Sequence, residues 1–200
     1  MFDKSFWNKR YDSGNYIYGE EPNSFLAEHY KLLYNPVLSL SEGEGRNAVF
    51  LASHGLEVTG VDFSTVALEK AKKLAKSRGV EIKTIVADLA TFEPEENNYG
   101  SVVSISAHLP STIRKRLYPL IERALKSKGI IILEAYSENQ LSRNTGGPKN
   151  ADMLMTVDKL NREFPNLEAI HLCEVEREIK EGEGHTGMAS VVQFIGRKKT

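Results

Sequence analysis

Residues 37–47 read V-L-S-L-S-E-G-E-G-R-N: a short apolar run stops at Gly43-x-Gly45 and passes into the helical pattern of Ala48, Val49, Leu51 and Ala52. This is a strand, a glycine turn and a helix start, because glycine lets the backbone turn sharply beside a ligand. Two further apolar runs end on Asp62 and Asp88. Together they describe three successive carboxyl ends of parallel strands, where open α/β sheets bind ligands. The pattern implies a nucleotide-like cofactor site.

The rest of the chain alternates strand and helix. Asn23 or Ser24, after Pro22, caps a helix to about Leu33, and Pro36 punctuates before the first strand. Ser64 caps the next helix, which carries Ala67, Leu68, Ala71, Leu74 and Ala75 on one face and is closed by Gly79. Strands are expected over 81–87 and 99–107, with the Val and Ile content of doubly covered parallel strands. Pro110-Ser111 opens a helix to about Leu125, and 129–135 (G-I-I-I-L-E-A) is the most apolar strand. Thr156 starts a short helix; strands over 167–179 and 188–196 form an antiparallel pair around the Glu- and Gly-rich turn 180–187. The expected architecture is a Rossmann-like, doubly wound α/β sheet, mainly parallel, with a C-terminal antiparallel hairpin. One domain spans 1–200: a helical cap over 1–35, a cofactor-binding core over 36–137, and a lid loop, helix and hairpin over 138–200.

Composition narrows the partners. A net charge of -1 with acids and bases interspersed provides no basic stripe for nucleic acid. The single cysteine, Cys173, precludes an internal disulfide framework and suits a reducing compartment. No apolar run approaches membrane-spanning length. The expectation is a cytoplasmic protein, monomer or homodimer, acting on a small molecule, without metal, nucleic acid or membrane.

At the strand ends, Gly43 and Gly45 allow close backbone approach, and the following helix N-terminus suits an anionic or polar ligand group. The spacing Gly43-x-Gly45-x-x-Ala48 also satisfies the dinucleotide fingerprint. Asp62, nineteen positions after Gly43, stands where a carboxylate accepts both hydroxyls of a ribose. Asp88 is placed to accept from an adenine amino group.

These residues carry a resemblance. V-L-x-L-x-E-G-E-G-R-N, then V-T-G-V-D-F-S, then V-A-D-L, in that order, resemble a class I S-adenosylmethionine-dependent methyltransferase. Tyr16-x-Tyr18-Gly19-x-x-Pro22-Asn23, the G-R-N triplet and Gly182-Glu183-x-His185 make the chain similar to the tellurite-resistance type. The resemblance implies S-adenosylmethionine as cofactor and S-adenosylhomocysteine as product. It places Gly43 and Gly45 at the methionine part, Asp62 at the ribose, Phe63 beside the adenine, and Asp88 with Leu89 at the adenine edge. Arg46, Asn47, Ser64, Ser104 and Ser106 complete the implied cofactor set. Two positions depart from the pattern: an acidic residue is common where Ser39 stands, and a glycine where Ser41 stands. Glu42 is the candidate for the missing carboxylate near the cofactor's ammonium group.

A sulfonium electrophile arrives activated, so the protein chiefly aligns reactants, excludes water and tolerates positive charge. Trp7, Tyr11, Tyr16 and Tyr18 precede the first strand and can either fold over the site or pack the N-terminal helix onto the sheet. His108, after the fourth strand, and His185, in the terminal turn, are the candidate catalytic residues. Glu134 and Tyr136, with Trp7 and Tyr18, are candidates to line the substrate pocket. In the resembling family an arginine often follows the histidine at 185; here it is Thr186, which argues against tellurite. Residues 145–148 (T-G-G-P) are expected to form part of a flexible lid. The alternatives are a nicotinamide-dependent oxidoreductase on the same glycine turn and a non-catalytic regulator that binds the adenosyl cofactor.

Overall fold

The sheet grows outward from β1 (Val37–Leu40), all four residues of which are buried. β1 pairs in parallel with β2 (Val58–Asp62) on one side and β4 (Tyr99–Ile105) on the other. β3 (Lys83–Val86) extends the sheet past β2, and β5 (Leu125–Tyr136) past β4. β7 (His185–Lys198) joins β5 antiparallel, and β6 (Leu167–Glu181) closes the order β3-β2-β1-β4-β5-β7-β6. The order reverses between β1 and β4, and a switch point of this kind opens a crevice at the strand carboxyl ends. This computed structural model describes residues 4–183 and 185–200, so the first three residues of the expected cap and Gly184 of the expected turn lie outside the described residues.

Helices α1 (Lys4–Tyr11), α2 (Ser24–His29), α3 (Arg46–Ser53), α4 (Thr65–Ser77), α5 (Ser111–Ala124) and α6 (Val157–Glu163) surround the sheet. Neighbouring strand residues are divided between its two faces. Leu38, Val102 and Ile131 join Leu117 and Ile121 of α5 and Leu160 of α6 in one apolar cluster. Val37, Val103, Ile130 and Ile132 join Phe25 and Leu26 of α2 and Ala48 and Leu51 of α3 in the other. This is the two-residue period of a strand buried on both sides. Each fully buried Leu or Ile contributes roughly 1.5–3 kcal/mol.

The expected caps are present. The side chains of Asn23, Ser64 and Thr156 accept from the N–H groups of Leu26, Ala67 and Lys159, and Gly79 has a left-handed φ of 69° beyond α4. Three expectations need correction. β3 is not doubly covered: it is an edge strand, with Ile85 and Val86 37% and 51% exposed. β5 begins at Leu125, directly after α5, because Tyr99 pairs with Leu125 ahead of an irregularity at Ser101. The hairpin strands run to Glu181 and from His185, which pair directly. That longer ladder sets the Glu181 and His185 side chains opposite each other. The connection after β5 is tied down: Gln140 Nε2 donates to Thr145 Oγ1, which donates to the Met188 carbonyl at 2.8 Å.

Candidate active site

The loop between β1 and α3 passes through left-handed Gly43 (φ 62°) and Gly45 (φ 96°). A Cβ on Gly45 would lie 2.7 Å from Cα and Cβ of Ala71, so only glycine lets α3 begin this close to α4. Ser41 also has a left-handed φ, 50°, retaining the conformation of the glycine it replaces in the resembling pattern. The Gly43 N–H donates to Asp62 Oδ2 at 2.9 Å, and the Ser64 N–H to Oδ1 at 2.8 Å. Burial raises the Asp62 pKa, while these backbone donors act to lower it.

Glu42 turns inward. Its Oε1 accepts from the Ala48 N–H at 2.9 Å in the first turn of α3, and its Oε2 accepts from the Ser39 hydroxyl. Burial pushes its carboxyl up to about 7. Glu44 accepts from the Ile17 N–H at 2.8 Å and pairs with Lys70. Glu42, Glu44 and Asp62 therefore concentrate three buried carboxyl groups around Gly43.

The N-terminal segment roofs this loop. A Cβ on Gly43 would lie 3.2 Å from the Tyr11 hydroxyl, and Trp7 stacks on Tyr11 with ring centres 5.6 Å apart. The Ser64 hydroxyl donates to Asn8 Oδ1 at 2.7 Å, and Lys70 Nζ donates to the carbonyls of Tyr11, Ser13 and Asn15. Farther along, Tyr18 packs on His185 with ring centres 4.7 Å apart.

A second polar cluster fills the ends of β5, β6 and β7. Asn23 Nδ2 donates to Glu134 Oε1 at 2.8 Å and to Glu181 Oε1 at 2.7 Å. Arg177 bridges the same two carboxylates, and Gln193 Nε2 donates to Glu134 Oε2 at 2.7 Å. Arg46 Nη2 donates to Glu181 Oε2 at 2.7 Å, and Asn47 Oδ1 accepts from the Asn23 N–H at 3.0 Å. Burial alone would raise the Glu181 pKa, but facing His185, the Arg46 guanidinium and the Asn23 amide hold it well below the usual carboxylate range.

His108 Nε2 accepts from the Tyr136 N–H at 3.0 Å, and the two rings stack. Burial, reinforced by His185, pushes its pKa down to about 3, so the ring is neutral at physiological pH. The Tyr136 ring meets His185 edge-on at 5.3 Å.

Tertiary contact thus gathers Glu42, Gly43, Asp62 and Ser64 into one group, and Arg46, Asn47, Glu134, His185, Tyr18, Tyr136 and His108 into a connected second. Ser104 is buried on β4, Leu89 is buried beyond β3, and half-buried Phe63 follows Asp62. The Ser106 N–H donates to the Glu134 carbonyl at 2.8 Å. Asp88 is exposed, its carboxylate accepting from the Ala90 N–H of its own turn. Sequence reasoning did not select Arg177, Glu181 or Gln193, which lie in the plain alternation of the hairpin, and named Asn23 as a helix cap and motif residue without a place in the site.

Residues 37–129 match the methyltransferase domain family. Over that stretch the chain is similar to class I S-adenosylmethionine-dependent methyltransferases. The chain is 26% identical over 126 residues to 2-heptyl-1-hydroxyquinolin-4(1H)-one methyltransferase of Mycobacteroides abscessus, covering 62% of this chain. It spans about half, 55%, of that curated relative's length. Two solved structures share its fold. TehB from Haemophilus influenzae has a TM-score of 0.73 at 18% identity, over 98% of this chain and 67% of that one. A protein described for the conversion of a disulfide bond into a thioacetal group during echinomycin biosynthesis has a TM-score of 0.76 at 18% identity, over 95% and 89%. The comparisons favour neither a nicotinamide enzyme nor a non-catalytic regulator.

The residues around Gly43 fit S-adenosylmethionine. Buried Asp62 offers acceptor oxygens beside a backbone without Cβ at Gly43, and acidic groups with an aromatic roof suit a ligand carrying ammonium and sulfonium charges. Among the described residues no helix is long and apolar enough to cross a membrane.

Proposed function

We propose that the protein transfers a methyl group from S-adenosylmethionine to a small-molecule nucleophile. The observation that carries this reading is the Asp62 carboxylate, clamped at the end of β2 by the N–H groups of Gly43 and Ser64. When bound, the cofactor would supply a methyl group activated on a sulfonium for in-line attack by the acceptor, with S-adenosylhomocysteine as the leaving thioether.

In this reading Asp62 accepts from the ribose hydroxyls, Phe63 and Leu89 border the adenine, and Asp88 accepts from its amino group. Gly43 and Gly45 face the methionine part, with Asn47, Ser64, Ser104 and Ser106 completing the contacts. Glu42 offers its carboxyl to the ammonium group of the positive end. Trp7, Tyr11 and Tyr18 exclude water and present aromatic faces to positive charge. Glu134 and Tyr136 wall the acceptor side. His185 faces the acceptor's nucleophilic atom; His108, whose Nε2 is engaged by the Tyr136 N–H, positions that residue. Conversion of a hydroxyquinolone is named for the Mycobacteroides relative. We extend from it only that the acceptor is small, with the protein working as a monomer or homodimer in the cytoplasm.

The test is titration calorimetry with S-adenosylmethionine and S-adenosylhomocysteine beside NADH and NADPH. Saturable binding of the adenosyl pair alone is expected; binding of a nicotinamide alone would overturn the reading.

A further inference from the structure

We propose that the methyl acceptor binds as an anion, its charged oxygen or sulfur held by the buried guanidinium of Arg46; this rests on the methyltransferase reading above. Arg46 opens α3 directly after left-handed Gly45 and is 7% exposed. Its Nη2 donates to Glu181, whereas its Nη1 is buried without a hydrogen-bond partner among the described residues. A guanidinium stays protonated in proteins, so this N–H cannot escape the cost of burial by losing its charge. It needs an acceptor.

The neighbouring carboxylates are engaged elsewhere. Glu181 Oε1 receives Asn23 and Arg177, and Glu181 Oε2 receives Arg46 Nη2. Glu134 receives Asn23, Arg177 and Gln193, while Glu42 receives Ser39 and the Ala48 N–H. None of these bonds is made to Arg46 Nη1.

A second unpartnered nitrogen flanks the same carboxylate. His185 Nδ1 is also buried without a hydrogen-bond partner among the described residues, and lies 3.8 Å from Glu181 Oε2, beyond hydrogen-bond length. The two unfilled nitrogens come from the glycine-turn helix and from the hairpin tip. The rings of Tyr18 and Tyr136, 4.7 and 5.3 Å from that of His185, enclose the hairpin side. A permanently charged donor, with aromatic rings around the His185 that shares its carboxylate, suits a thiolate, phenolate or N-oxide anion on a flat apolar body, and repels an ammonium.

Two probes, para-nitrophenolate and benzylamine, test this on the full chain saturated with S-adenosylhomocysteine. The expected result is at least tenfold tighter binding of para-nitrophenolate, with a shift of its absorbance. Arg46→Gln should abolish that preference. Should the single variant fail to fold with Glu181 left short of a cation, the Arg46→Gln/Glu181→Gln pair carries the same expectation. Equal binding of the two probes, or binding of neither, overturns the proposal. So does an Arg46→Gln protein that loses S-adenosylhomocysteine but still binds 5′-methylthioadenosine, since the guanidinium then serves the cofactor's carboxylate. A wild-type protein that binds no S-adenosylhomocysteine sinks the methyltransferase reading itself.

Discussion

Gly60 on β2 makes room for Glu42: a Cβ at residue 60 would sit 2.9 Å from Glu42 Cγ. The inward turn of Glu42 therefore depends on a missing side chain in the neighbouring strand. Gly60→Ala should cost about 1–3 kcal/mol through overpacking, read as a lower urea midpoint. A midpoint equal to wild type would refute the fit.

Burial pushes the Glu42 carboxyl from 4.5 up to about 7. Folding then favours its protonated form, so this contribution to stability is complete below pH 4.5 and is lost as pH rises through 7. Glu42→Gln should remove the loss. Urea unfolding of both proteins across that range should show wild type falling relative to the variant; parallel curves would contradict the assignment.

Asp62 serves the loop and, in the proposed function, the cofactor. Asp62→Ala should weaken S-adenosylhomocysteine binding by about ten- to a hundredfold, the loss expected for hydrogen bonds to a charged group. Calorimetry on a variant shown to be folded decides the point, and unchanged affinity removes Asp62 from the ribose.

The two histidines should separate. His108 is held neutral, its pKa lowered from 6.5 to about 3, so its contribution to stability is present above pH 6.5 and is lost as pH falls toward 3. His108→Gln should therefore lessen acid sensitivity in urea unfolding over that window. His185→Ala should leave S-adenosylhomocysteine affinity unchanged and lower turnover once an acceptor is in hand. Full turnover in the His185 variant would end its role on the acceptor side.

Lys70 fastens the aromatic roof through Glu44 and the carbonyls of Tyr11, Ser13 and Asn15. Lys70→Met should loosen that segment, raising hydrogen exchange of the amides of residues 11–18 by about tenfold or more. Trp7, the sole tryptophan, should report the change as a fluorescence shift. Wild-type exchange and emission would show that the lysine does not hold the roof.

Much of the fold was legible because its signals are local. The strand–glycine–helix run at 37–53, the caps Ser64 and Thr156 and the apolar 129–135 segment each follow from backbone chemistry within a few residues. Three strand readings failed where partners decide. β3 has the composition of a buried strand but stands at the sheet edge; β5 starts early through pairing with Tyr99; and the hairpin tip tightens because β6 and β7 stay in register to Glu181 and His185.

By itself the sequence determined the order of strands and helices, the glycine turn, and the positions of Gly43, Asp62 and Asp88 at strand ends, since backbone conformation and hydrophobic period act over short distances. Tertiary structure decided that Glu42 points inward, that His108 spends its lone pair on the Tyr136 N–H, and that Arg46 reaches Glu181 across 135 residues. Those outcomes depend on which buried donors and acceptors are left to pair once the sheet has closed, and no local pattern encodes that.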